Sequence, residues 1–476
     1  MLQTASSATL HSQALAELRK ESLDLYNRLH SIAEDIEFID SLRDHYANIP
    51  IIPNLRCGAW YVRTTAVKSA YFKSTDGHFN NWSFNLRRPN IHLLHTINHN
   101  GGFMIVDSTR AGKRMPDALS KTVPLWCTVI NRAIKATHKK DDNWDTSLYT
   151  PPTVVSAQEH TQMQLRLDQW AVHLQHSAYE LPNLSRPLRP LWITPASSSW
   201  PRIPPPEDRT FYPIICVSAS KQVQEGVERR SNGYSYVQGS GDDHELWSQG
   251  LTPALFWRHK DLLLRTGRQD LKALVVELVD NDLGSKRSDS TVAESSPVNH
   301  VGGRIKIGLL SELSEHLHTN VSDPVQRTAQ VIISASAAVR ERVGADGWRI
   351  DPEHVLVLYL PPGKRGQSMF LEAILPRSLP FIDSYLSQGS TVCISCDSGR
   401  DASVGVALAA LQLLFDDSGQ YTGVDERKVL PVPDKQAISK RLQWIIASRA
   451  QANPSRATLK RVNEFLMTPP SLRRRA

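Results

Sequence analysis

The clearest periodicity comes first. Leu15, Leu18, Ser22, Leu25, Leu29, Ile32, Ile36 and Ile39 recur at steps of three and four. That spacing predicts one leading helix of about seven turns whose apolar stripe faces its own domain. Pro50 and Pro53 end it, since proline cannot continue the hydrogen-bond ladder. Between 57 and 110 the pattern shifts to short β-like runs, CGAWYV and GGFMIVD, separated by polar turns. Helical spacing returns over 117–137 and 158–178. Residues 181–213 are rich in proline and predict an extended crossing segment without a regular element. A strand-like FYPIICVSAS, a Gly-rich turn and LKALVVELV follow. Residues 280–303 hold almost no large apolar side chains and predict a flexible linker. Beyond them IKIGLL, QVIISAS, HVLVLYL and STVCISC alternate with helical stretches, the signature of a three-layer α/β domain. The expected organisation is α/β throughout, with an N-terminal domain over 1–300 and a C-terminal domain over 304–476.

Composition narrows the class. Of 476 residues, 40% are hydrophobic and 22% charged, an ordinary globular balance with room for two or three domains. The longest apolar run begins at Val404 and is broken by Gln412, well short of the ~20 residues of a membrane span. No signal-peptide pattern opens the chain, and no membrane association or protein partner is expected. Five cysteines make no disulfide framework and suit a reducing compartment. The expected location is cytoplasmic, with a nuclear presence left open by the basic run Arg473–Arg475. The net charge of +7 suits a polyanionic partner.

Four segments carry chemistry. The first, GSTVCISCDSGRDASVGVALAALQLLF, reads as a strand ending at Cys396, a tight loop, and an apolar helix from near Ser403. Loop and helix-terminal N–H groups would converge on one point and favour a phosphate. Cys396, Asp397, Ser398, Gly399, Arg400, Asp401 and Ser403 are its candidate anion-binding residues. The loop resembles the phosphate-binding loop of protein tyrosine and dual-specificity phosphatases, in which a Gly follows the Cys by three residues and an Arg by six. Here Ala402 stands at the Arg position, so the clamp that phosphoryl hydrolysis needs is missing. Cys393 and Cys396 also spell C-x-x-C, but on a strand their side chains point to opposite faces, and no metal site is read there.

Three further blocks lie in the first half. Residues 69–90 combine Lys73, Ser74, Thr75 and Asp76 with Trp82, Phe84, Arg87 and Arg88, a mix suited to ribose hydroxyls, phosphates and base stacking. Residues 101–127 place Ser108, Thr109, Arg110, Lys113 and Arg114 after a strand ending in Asp107. Ser108 and Arg114 are six apart, which predicts a second anion cradle lacking a nucleophile. Residues 236–253 gather Asp242, Asp243 and His244 behind a Gly-rich turn, suited to Mg²⁺ or a general base.

Taken together, SAYFKSTDGH, VDSTRAGKRMPDALSKTVP, FYPIICVSAS, YVQGSGDDHELWSQGLTP, CDSGRDASVGVALA and NPSRATLKRVNEFL resemble the initiator tRNA phosphoribosyltransferase family of fungi and plants. The resemblance implies transfer of 5-phosphoribose from phosphoribosyl diphosphate (PRPP) to the ribose 2′-hydroxyl of adenosine 64 in the T stem of initiator methionyl tRNA, which excludes that tRNA from elongation. It also implies a dual-specificity-phosphatase-like C-terminal domain that is not a phosphatase. Such a transfer needs cations or Mg²⁺ on the leaving diphosphate, N–H groups on the 5-phosphate and a base at the hydroxyl. Asp76, Asp107 and Asp243 are open as that base, and the loops at 107–114 and 396–403 are expected to hold the two ends of PRPP. LVVELVDNDLGS superficially resembles the acidic PRPP loop of ordinary phosphoribosyltransferases, but lacks its Thr–Gly. Arg87, Arg88, Arg229 and Arg230, with Lys135, Lys139, Lys140 and the terminal arginines, are candidates for RNA phosphates. The competing readings are a phosphatase acting on RNA or a nucleotide through Cys396, and a tRNA-binding protein without catalysis.

Overall fold

Asp24 splits the leading stripe into two helices, α1 (Ser7–Leu23) and α2 (Leu25–His45). Its backbone is extended (φ −68°, ψ 124°), and its carboxylate accepts the Asn27 N–H at 2.9 Å. That is an N-cap, which starts a new helix rather than prolonging the old one. Arg268 grips the same carboxylate at 2.8 Å. Leu25, Leu29, Ile32, Ile36 and Ile39 form core, whereas Leu15 is 53% exposed. The single seven-turn helix read from the spacing is therefore corrected to two, of which the second carries the buried face. The computed structural model describes residues 7–63, 70–75, 80–110, 112–285, 295–310, 328–351, 354–423 and 432–469. Asp76 and the terminal arginines lie outside them.

The chain divides into two units: Met1–His176 with Glu180–Gly284, and Ser285–Ala476 with Ser177–Tyr179. The first is built on strands β1 (Ile51–Pro53), β2 (Phe103–Asp107), β3 (Leu188–Ile193) and β4 (Tyr212–Ser218), ordered β1-β2-β4-β3 with every pair parallel. The two central strands are buried at every residue, as a parallel sheet covered on both faces requires. Helix α3 (His92–Asn100) leads into β2, and a π-helical turn (Ala118–Thr122) opens α4 (Val123–His138) after it. Helices α5 (Ala157–Gln164), α6 (Leu167–Gln175), α7 (Pro253–Arg265) and α8 (Arg268–Ser285) and the hairpin β5 (Val227–Arg229)–β6 (Ser235–Val237) complete the unit. The α2 stripe packs with Met104, Val106, Ile215, Val217 and Phe256 into one core.

Three expectations change here. The proline-rich stretch contains β3, whose Pro190 is tolerated because β3 is the sheet edge. CGAWYV folds as a 3₁₀ turn, Gly58–Trp60, not a strand. LKALVVELV lies within α8, so the supposed linker is helical as far as Ser285 and the segment that resembled a PRPP loop is helix too.

The second unit carries β7 (Ser296–Pro297), β8 (Ile305–Leu309), β9 (Thr328–Ser334), β10 (Trp348–Asp351), β11 (Val355–Tyr359) and β12 (Thr391–Cys396), ordered β10-β11-β9-β12-β8-β7. The four inner strands are parallel and the two edges antiparallel. The edge pairs were not read from the sequence. Their helices are α9 (Ala337–Val343), α10 (Gly363–Met369), α11 (Leu375–Leu386), α12 (Ala402–Leu414), α13 (Lys435–Ser448) and α14 (Arg456–Met467). Every residue of α12 from Ala402 to Gln412 is buried, which explains why its apolar run has no polar face.

Candidate functional site

In the first unit the candidate chemistry sits where parallel strands end, the place open α/β sheets offer to ligands. Asp107 closes β2 and is completely buried. It accepts from Asn54 Nδ2 at 2.9 Å, Arg56 Nε at 3.1 Å, Cys57 Sγ at 2.7 Å and its neighbour's Ser108 N at 2.9 Å. Arg56 continues to Asp242 Oδ1 at 2.6 Å and to the Ser108 carbonyl. Burial and the Asp107 charge push the Cys57 thiol well above its usual range, so it stays a protonated donor. With four donors on it, Asp107 is a structural anchor and is withdrawn from the base role expected of it. Arg56 is the counter-charge beside it.

The 108–114 loop differs from the expected anion cradle. The Gln238 side-chain amide donates inward to the carbonyls of Thr109 (3.4 Å), Arg110 (3.2 Å) and Lys113 (2.8 Å). Three of its carbonyl oxygens turn toward this amide, and a donor already occupies them. Gly239 follows with φ +70°, and a Cβ there would stand 2.5 Å from the Thr109 oxygen. Only glycine allows this approach of two backbones. The cationic side chains of Arg110 and Arg114 in this loop are both exposed.

Asp117 gathers two of the polar blocks. Its Oδ2 accepts Thr75 Oγ1 at 2.9 Å and Lys113 Nζ at 2.8 Å, and Lys121 lies 3.7 Å from Oδ1. Thr75 and Ser74 are buried, Ser108 and Thr109 likewise, while Lys73 is exposed. Trp82 is 1% exposed and donates to Glu159 at 3.1 Å, so it is core and not a stacking platform. Arg88 lies over Tyr71 at 3.7 Å. Arg230 is bound through two nitrogens to Glu34, at 2.9 and 2.7 Å, and is not available to RNA as expected, whereas Arg229 is exposed. Asp243 is 53% exposed and only 3.7 Å from Arg110. With Arg28, Arg110, Glu225, Gln238 and Asp242 it lines a cavity of 480 Å³. A second, open groove of 710 Å³ is lined by Arg132, Lys135, Lys139, Lys140, Thr146 and Asp168.

The second unit keeps the strand–loop–helix outline with an open interior. Cys396 ends β12, and its Sγ lies 3.1 Å from Ser403 Oγ and 3.7 Å from Ser398 Oγ. Burial alone would raise its pKa; hydrogen bonds from the Ser403 and Ser398 hydroxyls and N–H groups outweigh it and leave the thiol below its usual range. Gly399 adopts φ +58°, where a Cβ would meet Arg449 Nη2 at 2.7 Å and Leu309 N at 3.1 Å. Arg449, nearly buried, supports the loop from beneath by donating to the Gly399 carbonyl at 3.0 Å and to Ser296 Oγ at 3.0 Å. Asp397 accepts Ser334 Oγ at 2.6 Å and Ala335 N at 2.8 Å, and Asp401 accepts Ser455 N at 2.9 Å. Arg400 is exposed. Above the loop is a cavity of 330 Å³ lined by Cys396, Asp397, Ser398, Asp401 and Ala402 among others.

Sequence reading missed Asn54, Arg56, Asp117, Gln238 and Arg449. Arg56 sits in an unpatterned NLRCG and Arg449 in ASRAQ, where no spacing distinguishes a buried guanidinium from a surface one.

Residues 18–280 match a family model described as the Rit1 N-terminal domain, and 354–466 one described as the Rit1 DUSP-like domain. A Saccharomyces cerevisiae protein named tRNA A64-2′-O-ribosylphosphate transferase is 33% identical over 96% of this chain and 94% of its own. An uncharacterised Schizosaccharomyces pombe protein is 32% identical over 96% of this chain and 97% of its own. Among solved structures, human DUSP28 covers 36% of this chain and 92% of its own at 14% identity and TM-score 0.24. The Yvh1 phosphatase domain of Chaetomium thermophilum covers 37% and 92% at 17% identity and TM-score 0.22.

Proposed function

Because the chain belongs to the Rit1 family, we propose that it transfers 5-phosphoribose from PRPP to the ribose 2′-hydroxyl of adenosine 64 in initiator tRNA. The observation that carries this reading is identity of 33% along 96% of the chain to a protein named tRNA A64-2′-O-ribosylphosphate transferase. In the reaction the 2′-oxygen bonds to the anomeric carbon of PRPP as the carbon–oxygen bond to diphosphate breaks. The hydroxyl proton goes to a base and diphosphate leaves. Asp243 is the better candidate base of the two described: it is exposed on a cavity, whereas Asp107 is spent on four donors. Arg110, exposed on the same cavity, is the cation available to developing negative charge, while Arg28 beside it is held by the Ser240 and Asp242 carbonyls. Mg²⁺ belongs to this reading as an escort of the diphosphate, held mainly by phosphates and water. Among the described residues no three His, Cys, Asp or Glu gather as a metal cage; Glu225, Asp242 and Asp243 are the carboxylates on the cavity that would meet such an ion.

Initiator tRNA meets such an enzyme through its backbone. The groove of Arg132, Lys135, Lys139 and Lys140 has the right charge, and the exposed Arg229 and the Arg88–Tyr71 stack are further contacts. Replacing Lys135 and Lys139 by Glu is expected to weaken tRNA binding and to lower the slope of log K against log salt by about 1–2, as loss of phosphate contacts does. Filter binding across a salt series measures it. For the reaction itself, PRPP labelled in its 5-phosphate is incubated with the protein and initiator tRNA. Covalent label on A64 is the expected result, and unlabelled tRNA at full incubation rejects the reading.

A further inference from the structure

The loop at Cys396 lacks the arginine that a loop of this outline would carry, since Ala402 stands there. Another element presents one to the same cavity. Helix α14 is N-capped by Ser455, which accepts the Thr458 N–H at 3.1 Å. It buries Val462, Phe465 and Leu466 in the core. Fixing that face turns Ala457, Thr458 and Arg461, neighbours at helical spacing, onto the 330 Å³ cavity.

Arg461 is poorly satisfied there. Its Nε is buried with no hydrogen-bond partner among the described residues, and a buried guanidinium N–H without an acceptor is costly enough to call for a missing partner. Its Nη1 pairs with Glu464 at 2.7 Å, with the two side chains 26% and 44% exposed. A pair of that kind contributes little and exchanges readily for a better acceptor. The two carboxylates on the cavity wall do not compete for it: Asp397 is engaged by Ser334 and Ala335 N, Asp401 by Ser455 N. The opposite wall, Leu360, Pro361, Pro362, Gly363 and Phe370, offers no titratable group.

We propose that Arg461, from helix α14, supplies the cation missing at Ala402, and that the cavity above Cys396 binds a phosphate dianion, free or as a monoester, and releases it intact. The guanidinium can grip two phosphate oxygens while the Ser398–Ser403 turn faces the others. With no free carboxylic acid on the wall to protonate a leaving oxygen, bound ester is not cleaved. The shared chemistry has two sources, free phosphate and the 5-phosphate of the donor. The second rests on the transferase reading.

Calorimetric titration of the full chain with inorganic phosphate, ribose 5-phosphate and PRPP tests it. Arg461→Ala is expected to weaken phosphate binding at least about tenfold, the scale of one charge-assisted contact, and Arg461→Lys to weaken it less. Cys396→Ser should bind phosphate as well or better, because a thiolate no longer opposes the anion. Parallel weakening for all three ligands points to the donor's 5-phosphate, and weakening confined to inorganic phosphate points to the free ion. Phosphate affinity within twofold of wild type in Arg461→Ala overturns the proposal. So does wild type that fails to bind phosphate at millimolar concentration, or one that turns over p-nitrophenyl phosphate. Unfolding midpoints of Arg461→Ala and Arg461→Gln identify a folding defect, and the conservative Gln variant then takes the place of Ala. Label transfer to tRNA by wild type is scored separately. Phosphate binding without transfer sinks only the function reading, and transfer without phosphate binding sinks only this one.

Discussion

Two loops of this protein share an outline and differ inside. Both leave a buried parallel strand, turn sharply and enter a helix: Asp107 to Arg114 in the first unit, Cys396 to Ser403 in the second. In the first, a carboxylate at the strand end draws four donors onto itself, an arginine among them, and Gln238 plugs the turn by holding its carbonyls. In the second, a thiol at the strand end takes hydrogen bonds from two serines, the supporting arginine lies beneath the backbone, and the space above stays open. A strand–loop–helix outline therefore predicts where a ligand can approach. Whether the loop is a cradle depends on what distant segments place in its middle.

The largest expected effect breaks the first loop. Arg56→Ala leaves Asp107 and Asp242 without their shared cation and should cost about 3–5 kcal/mol in urea unfolding, the usual range for stranding a buried charge. A cost near zero would show that the strand end is not held by that pair. A smaller effect, about 1–3 kcal/mol, is expected for Gln238→Ala, which strands the loop carbonyls. Gln238→Glu should cost more, since it turns a carboxylate toward those oxygens. Equal stability of the Ala and Glu variants would remove the plug from the account.

The finest distinction is between the two cysteines. Alkylation of Cys396 should follow a thiolate titrating below the ~8.5 of a free cysteine, and Ser403→Ala should move that midpoint upward. Cys57, pushed up by burial and Asp107, should stay inert in the folded protein. The lowered value also means that ionised Cys396 adds stability above about pH 8.5, a contribution lost as pH falls through the folded pKa. Similar alkylation profiles for Cys396 and Cys57 would erase the contrast.

Much of the second unit was legible beforehand. Strands β9, β11 and β12 carry unbroken apolar runs, VII, VLVLY and VCI, as strands covered on both faces do, while β8 keeps Lys306 between Ile305 and Ile307. The first unit was harder. The leading stripe keeps perfect helical spacing across Asp24, and periodicity cannot register a cap that changes the chain's direction. β3 was hidden by its own proline, acceptable only because the strand is at an edge.

By itself the sequence determined the family, through the order of its motifs along the chain. It also fixed the absence of an arginine at position 402, since identity at a position needs no coordinates. Only the tertiary structure decided that Trp82 is core, that Arg230 is committed to Glu34, that Asp107 is an anchor, and that Arg461 faces the cavity over Cys396. Each of those outcomes depends on a partner far away in the chain. Charge and hydrogen-bonding capacity are written in the residue, but whether they are spent internally or left for a ligand is settled by what folding brings beside them.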